Sequence, residues 1–232
     1  LSDITSLNDG SSLITGHFGS KASFGSITLS GIGNYEGYIA KLNPDGSFAW
    51  ATQTGGVSYA SGKNSISGIT SLSDGSSIVT GKFTATPLLW GNKLSSTGES
   101  DVLIAKINND GSCAWVKQAG GSSDDFGIDI TSLNNGSSIV TGKFGGTANF
   151  GETTLTSTGD SDYFFTKLNA DGSYAWATKA GLGVDNKTQV SEIKSLSDGS
   201  SIVTGYFGGT ASFGDTTLTS AGDSDVFIAK LN

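Results

Sequence analysis

The sequence lacks several features that mark common classes of protein. A single cysteine among 232 residues excludes a disulfide framework. No apolar run approaches the ~18 residues that a membrane-spanning helix requires, so we expect no insertion into a membrane. Arginine is absent, and thirteen lysines stand against twenty-one acidic residues, for a net charge of −8. A charge of that sign argues against nucleic acid as a partner, because phosphate-binding surfaces are basic.

Methionine is also absent, and the sequence begins at Leu1 without the pattern of a signal peptide. We therefore expect a processed product or an excerpt of a longer protein. The flanking sequence would decide between these origins, because further copies of the unit described below would mark an excerpt.

Glycine, serine and threonine are abundant, with 35, 37 and 25 residues respectively. Glycine and serine disfavour helix interiors, whereas threonine and the aromatic and β-branched residues suit a pleated surface. With only two prolines, this composition predicts an all-β chain of many short strands joined by tight turns. A disordered linker is the competing interpretation. Recurring apolar clusters, such as Ser138-Ile139-Val140 and Val226-Phe227-Ile228, argue against it.

A forty-residue unit occurs four times in the sequence, and internal repetition of this kind indicates a repeat architecture. Residues 130–169 align without gaps to residues 193–232, with thirty of forty positions identical. A second segment, Asp-Gly-Ser-x-Ala-Trp, separates the units and ends at Trp50, Trp115 and Trp176. The four units begin at Ile4, Ile69, Ile130 and Ile193.

Each unit is predicted to form four antiparallel strands, which we name A to D. Strand A is typified by residues 69–72, strand B by 200–207, strand C by 225–232, and strand D contains the Ala-Trp pair. Asp-Gly or Asn-Gly pairs follow strand A and accept the positive φ of a tight turn. The motif Ala-x-Phe-Gly-x-Thr-Thr-Leu lies between strands B and C and is interpreted as a side hairpin or a packed loop.

Tandem four-stranded units predict a β-propeller of four blades, at about residues 1–65, 66–126, 127–189 and 190–232. One blade cannot bury both of its faces, so stability requires several in a row. A β-helix and a pair of sandwiches are less favoured alternatives. The fourth unit stops after strand C, so we expect strand D to be outermost and the last blade to be incomplete. That exposed edge invites strand donation or self-association.

The motifs Ile-Val-Thr-Gly-x-Phe, Phe-Gly-x-Thr-Thr-Leu-Thr-Ser and Asp-Gly-Ser-x-Ala-Trp-Ala resemble the bacterial β-propeller repeat family. The resemblance covers essentially the whole chain. It implies a propeller fold in a large secreted or cell-surface protein, and it implies no catalytic residue.

A catalytic residue usually occurs in only one copy of a repeat, so residues that break the repeat pattern are the candidates for catalysis. His17 is the only histidine, and it shares its position with Lys82, Lys143 and Tyr206, which indicates a solvated strand position. Cys113 replaces Phe48 and Tyr174, so it is interpreted as a small buried apolar residue. The sequence therefore predicts no catalytic, cofactor-binding or metal-binding residue, and no enzyme.

Acidic pairs recur immediately before strand C. They are Glu99 with Asp101, Asp160 with Asp162, and Asp223 with Asp225. Two such carboxylates could share Ca²⁺, although calcium loops usually supply more oxygen ligands. The favoured interpretation is a loop in which aspartate caps backbone amides. Asp124, Asp125 and Asp129 form a cluster found only in the third connection, and a solvated loop is expected there.

The tryptophans at positions 50, 115 and 176 recur in every strand D, which favours packing between blades over stacking on a sugar. Trp90 occurs once, and it is expected to fill the side hairpin as Phe150 and Phe213 do.

Taken together, these patterns favour a non-catalytic module of a secreted or surface protein, acting as scaffold or as a surface for protein or ligand. A lectin-like carbohydrate binder is the alternative. A glycosidase or lyase is the third, since propellers can host paired carboxylates.

Overall fold

The computed structural model describes residues 1–31, 35–55, 63–182 and 188–231, and these ranges contain β-strands and no helix. Every strand pairing between named strands is antiparallel. None of the described residues belongs to a helix that could cross a membrane. The prediction of an all-β, antiparallel chain is confirmed.

The strands of the first two repeats follow the same order. The first repeat contains β1 (Asp3–Ser6), β2 (Ser12–Phe18), β3 (Lys21–Phe24), β4 (Ile27–Ser30), β5 (Glu36–Leu42) and β6 (Phe48–Gln53). The second contains β7 (Ser65–Ser71), β8 (Ser77–Phe83), β9 (Leu88–Leu89), β10 (Asn92–Lys93), β11 (Asp101–Ile107) and β12 (Cys113–Gly121).

The last two repeats differ by one strand. The third contains β13 (Phe126–Ser132), β14 (Ser138–Phe144), β15 (Thr147–Phe150), β16 (Thr153–Thr156), β17 (Asp162–Leu168) and β18 (Tyr174–Leu182). The fourth contains β19 (Gln189–Ser195), β20 (Ser201–Phe207), β21 (Thr210–Phe213), β22 (Thr216–Thr219) and β23 (Asp225–Leu231).

Strands A, B, C and D pair in that order in the first three repeats, beginning with the sheet β1-β2-β5-β6. In the fourth repeat the described residues form the three-stranded sheet β19-β20-β23. Strand C of this repeat was predicted over residues 225–232, and Asn232 lies outside the described residues. The described part of the fourth sheet thus consists of strands A, B and C.

The motif interpreted as a side hairpin or a packed loop is a hairpin in each repeat, and in the third and fourth repeats it pairs with the preceding repeat. In the third repeat, β15 pairs with β12 of the second through Asn149 with Gly120 and Ala148 with Gly121. A side chain on Gly121 would bring its Cβ within 1.8 Å of a backbone oxygen of β15, so glycine permits this pairing. The expectation that strand D is outermost is therefore wrong for β12 and β18, because the next repeat's hairpin extends each sheet beyond it.

The turns between strands are built by side chains that mimic backbone groups. Asp74 Oδ1 accepts a hydrogen bond from the Ser76 amide at 2.9 Å, and Asp110 Oδ1 does the same with Ser112 at 2.9 Å. The glycines of these turns, Gly75 and Gly111, adopt φ of 80° and 86°, which a residue with a side chain rarely accepts. Hydrogen bonds from the serine hydroxyls, together with these amide bonds, lower the pKa of Asp74 and Asp110.

The hydrophobic core lies between consecutive sheets. Val102 and Ile104 of β11 are fully buried against Ile130, Val140 and Phe144 of the third repeat. Similar clusters join the first sheet to the second and the third to the fourth. A single sheet of this size does not bury both of its faces, so at each internal junction the facing sheets cover each other.

Equivalent isoleucines on strand C provide a direct test of this packing. Ile104 is 0% exposed at a junction, whereas Ile228 occupies the same repeat position at the end of the stack and is 71% exposed. We expect Ile104→Ala to lower the free energy of unfolding by about 2–5 kcal/mol. Ile228→Ala should change it by less than about 0.5 kcal/mol. Chemical denaturation measures both, and equal losses would contradict face-to-face packing of the sheets.

Candidate functional site

Strands A of consecutive repeats lie beside each other, and a carboxylate joins them at the first and third junctions. Asp3 Oδ2 accepts a hydrogen bond from the Ile69 amide at 2.8 Å, and Asp129 Oδ2 accepts one from the Ile193 amide at 2.8 Å. In each aspartate, Oδ1 accepts from the amide of the residue that follows. Each carboxylate thus satisfies one amide in its own sheet and one in the next sheet.

This geometry corrects the expectation that Asp129 belongs to a solvated loop and occurs once. Asp129 lies within β13, is 9% exposed, and has Asp3 as its repeat equivalent. Burial raises the pKa of Asp129, while its two backbone hydrogen bonds oppose that shift. The signal was present in the sequence, because both residues immediately precede the isoleucine that begins a unit.

Short hydroxyl side chains add a second contact between strands A at every junction. The hydroxyls of Thr5 and Thr70 donate to those of Ser71 and Ser132 at 3.4 and 3.2 Å, respectively. At the third junction the Thr131 hydroxyl accepts a hydrogen bond from the Ser195 amide at 3.0 Å. These short side chains allow neighbouring strands A to approach closely.

The strand D tryptophans lie against the C–D turn of the following repeat. Trp50 Nε1 donates a hydrogen bond to the Asn109 carbonyl at 2.9 Å, and a Cβ on Gly111 would lie 3.0 Å from the Trp50 ring. In the next junction, a Cβ on Gly172 would lie 2.9 Å from Trp115. For Trp50 and Trp115 the structure therefore shows packing between repeats, as the recurrence of tryptophan indicated.

Gly46 and Gly172 occupy equivalent turns, and comparing them distinguishes the cost of backbone strain from the cost of disturbing the tryptophan contact. Gly46 and Gly172 have φ of 85° and 81°, but a Cβ on Gly46 would meet nothing within 4 Å. We expect Gly46→Ala to cost about 1–2 kcal/mol from its backbone conformation alone. Gly172→Ala should cost about 1–3 kcal/mol more, because the methyl group displaces Trp115. Thermal and denaturant unfolding measure the loss of stability in each variant. Equal losses would contradict close packing of Gly172 against Trp115.

The second acid of each pair before strand C caps its own loop. Asp101, Asp162 and Asp225 each accept a hydrogen bond from the backbone amide four residues earlier, at 3.2, 3.0 and 2.9 Å. Asp162 also pairs with Lys179 at 2.9 Å. The described residues contain no group of three or more His, Cys, Asp or Glu side chains placed to hold a metal ion.

Asp125 is buried, contrary to the expectation of a solvated loop. Its carboxylate accepts hydrogen bonds from the Gly121 amide at 2.7 Å and the Gly145 amide at 3.0 Å, which joins the end of β12 to the end of β14. Burial raises the pKa of Asp125 to about 6, and the neighbouring charges of Asp101 and Asp124 contribute to the rise. The carboxylate therefore joins two repeats and carries a charge that the site disfavours.

The pH dependence of stability should reveal Asp125. The pKa of Asp125 is higher in the folded chain than the ordinary value of 3.8. Its contribution to the free energy of unfolding is therefore most favourable below about pH 4 and is lost as the pH rises through 6. We expect Asp125→Asn to lack this loss between about pH 4 and pH 7 when unfolding is measured across that range.

The control for this experiment is an exposed turn carboxylate. Hydrogen bonds from the Ser11 hydroxyl and amide lower the pKa of Asp9 to about 2. The contribution of Asp9 is therefore present above about pH 4 and is lost at lower pH, so Asp9→Asn should act only in that acidic range. Parallel pH profiles for wild type and Asp125→Asn between about pH 4 and pH 7 would contradict the assignment.

The remaining single-copy candidates have ordinary surroundings. His17 is exposed on β2, with its ring centroid 4.8 Å from that of Tyr35. Cys113 is partly buried, and burial raises the pKa of its thiol to about 11, which disfavours the nucleophilic thiolate. Trp90 is partly buried against the clusters that contain Leu89 and Val79, in agreement with its expected role as a plug.

The first and last sheets expose faces that are covered elsewhere. We name the β23 residues Val226 and Ile228 the trailing face; they are 76% and 71% exposed. At the other end, Ile4 is 57% exposed, and with the partly buried Ile14 it forms the leading face. The equivalents of Ile4 in the other repeats are at most 4% exposed. They are Ile69, Ile130 and Ile193.

A groove of about 490 Å³ lies between the third and fourth repeats, along strand D of the third and strand C of the fourth. We name it the edge groove. Its apolar wall consists of Phe165, Trp176, Phe213, Ala229 and Leu231. The trailing face and the edge groove are thus two separate open surfaces of the fourth sheet.

Comparisons with known proteins give distant similarities only. Neither a protein-family model nor a curated protein matches the chain. The major allergen Mala s 1 of Malassezia sympodialis is similar at a TM-score of 0.34 and 12% identity, over 84% of this chain and 75% of that one. A Bacteroides caccae protein of unknown function has a TM-score of 0.28 and 9% sequence identity, over 94% of this chain and 72% of that one. The WD40 domain of Neurospora crassa Pan2 has a TM-score of 0.28 and 10% sequence identity, over 89% of this chain and 74% of that one. Similarities this weak carry no inference about function.

Proposed function

We propose that the chain is a non-catalytic β-propeller module of a secreted or cell-surface protein, in which each repeat sheet is a blade. Its role is to present a protein-binding surface at the ends of the stack of sheets. The motif resemblance and the repeated antiparallel sheets support the propeller assignment. The exposed leading and trailing faces support the binding role.

One observation carries this proposal: the same repeat positions are buried at internal junctions and exposed at the ends. Val102 and Ile104 are fully buried, whereas Val226 and Ile228 in the same positions are mostly exposed. Burying an exposed valine or isoleucine side chain contributes about 1.5–3 kcal/mol, so these positions favour association.

The occupant that fits the trailing face is the leading face of a second copy of this chain. Ile4 presents to a partner the side chain that Ile69, Ile130 and Ile193 present within the chain. End-to-end contact would therefore extend the internal junction from one molecule to the next.

The test is the self-association of wild-type chain and of charge variants, measured by sedimentation velocity across a range of concentrations. Val226→Lys with Ile228→Lys, and separately Ile4→Lys, should each weaken self-association at least about tenfold, because a charge replaces a buried contact. Each double or single variant keeps one intact face. A mixture of the two should therefore form one-to-one dimers that neither forms alone.

Thr217→Lys is the matched control, since Thr217 is exposed on the side hairpin, away from both faces. It should associate as wild type does. A wild-type chain that stays monomeric at all concentrations, or a mixture that fails to dimerise, would contradict the proposed end-to-end contact.

A further inference from the structure

We infer that the edge groove is a receptor for an extended peptide strand with the pattern Asp-Gly-Ser-aromatic-Ala-Trp, which would complete the fourth sheet by pairing with β23. The occupant is defined by what fills the equivalent place in the other three repeats. This inference concerns a different surface from the end-to-end contact proposed above and does not depend on that contact.

The backbone edge of β23 is available for pairing. Strands β5, β11 and β17 each pair on one side with strand B and on the other with strand D of the same repeat. Within the described residues, β23 pairs with β20 alone. An unpaired edge of seven residues offers a row of amide and carbonyl groups to an incoming strand.

The equivalent groove one repeat earlier is filled by strand D of the third repeat. The Tyr174 ring meets the Phe150 ring edge-on, with centroids 6.3 Å apart, and its hydroxyl donates to the Gln118 carbonyl at 2.9 Å. Ala177 packs on the same cluster. In the edge groove, Phe213 and Lys179 hold the places of Phe150 and Gln118. The edge groove therefore offers an incoming aromatic side chain the same two positions that Phe150 and Gln118 offer to Tyr174.

The first repeat shows the same use of an aromatic residue, since Phe48 of strand D meets Phe24 edge-on at 5.4 Å. The turn before the strand has its own place as well. Gly111 and Gly172 lie against the tryptophan of the preceding repeat, and Trp176 lines the edge groove in the corresponding position. An incoming segment would therefore place its turn glycine on Trp176 and its aromatic ring on Phe213.

These contacts define the chemistry of the ligand. Backbone pairing with β23 supplies affinity for any extended strand, and the pocket for an aromatic side chain supplies specificity. Glycine is required before the strand, because Gly172 leaves no space for a Cβ beside Trp115. A peptide that has the aromatic residue but lacks the glycine should therefore bind more weakly.

The direct test uses a peptide with the sequence of residues 169–180, Asn-Ala-Asp-Gly-Ser-Tyr-Ala-Trp-Ala-Thr-Lys-Ala. Calorimetric titration into the full chain should give saturable one-to-one binding. Replacing the peptide's tyrosine with serine should weaken binding at least about tenfold, and a scrambled peptide should not bind. Absence of saturable binding up to about 1 mM peptide would overturn the inference.

Backbone pairing is tested separately from side-chain contact by N-methylation of the peptide. Methyl groups on the amides at Ala177 and Lys179, or on those at Thr178 and Ala180, block opposite edges of the strand, because alternate amides face opposite sides. Only one of the two methylated peptides should lose binding. Equal binding of both peptides would overturn strand pairing.

Protein variants locate the binding surface. Appending residues 170–180 after Asn232 should fill the groove within the chain, raise the midpoint of thermal unfolding and abolish peptide binding, whereas a scrambled appendix should do neither. Phe213→Ser should weaken peptide binding, because Phe213 lines the edge groove. Lys21→Ser should leave peptide binding unchanged, because Lys21 is exposed on β3 of the first repeat. Unchanged binding by Phe213→Ser would overturn the assignment to the groove.

Discussion

Burial of apolar side chains between consecutive sheets is the interaction on which the rest of the structure depends. Each sheet presents one row of side chains to the preceding repeat and one to the following repeat, as Ile130 and Phe165 do in the third. Neither row is buried within its own sheet. The stability of a repeat is therefore shared with its neighbours, as in other repeat architectures.

The backbone follows the same rule of dependence between repeats. The side hairpins of the third and fourth repeats pair with strand D of the repeat before, so each hairpin extends a sheet of another unit. Consecutive repeats are joined along strand A by carboxylates and hydroxyls, in the centre by the core, and along strand D by hairpins and tryptophans. Removing one repeat unit would therefore expose polar and apolar groups of both neighbours.

The buried carboxylates at the junctions are polar groups that accept amide hydrogen bonds across the interface. Asp129 and Asp125 each accept hydrogen bonds from backbone amides at a junction, which offsets part of the cost of burying a charge. Such bonds have strict geometry, so they favour a single register between sheets. Apolar packing alone tolerates a shift more readily.

Local residue patterns were enough to predict the antiparallel strands, the turns at Asp-Gly pairs and the order of strands within a repeat. These features depend on neighbouring residues, whose preferences repeat in every copy. Repetition also indicated that Trp50 and Trp115 pack between repeats, since a residue present in every unit serves a contact present in every unit.

Which repeat each group contacts follows from the way the folded sheets align. The pairing of β15 with β12, the burial of Asp125 and the equivalence of Asp3 with Asp129 depend on contacts between residues far apart in sequence. No local preference encodes such contacts, because they arise when two sheets align. The same holds for Val226 and Ile228: their residue types match those of a buried junction, and only the arrangement of the sheets leaves them exposed.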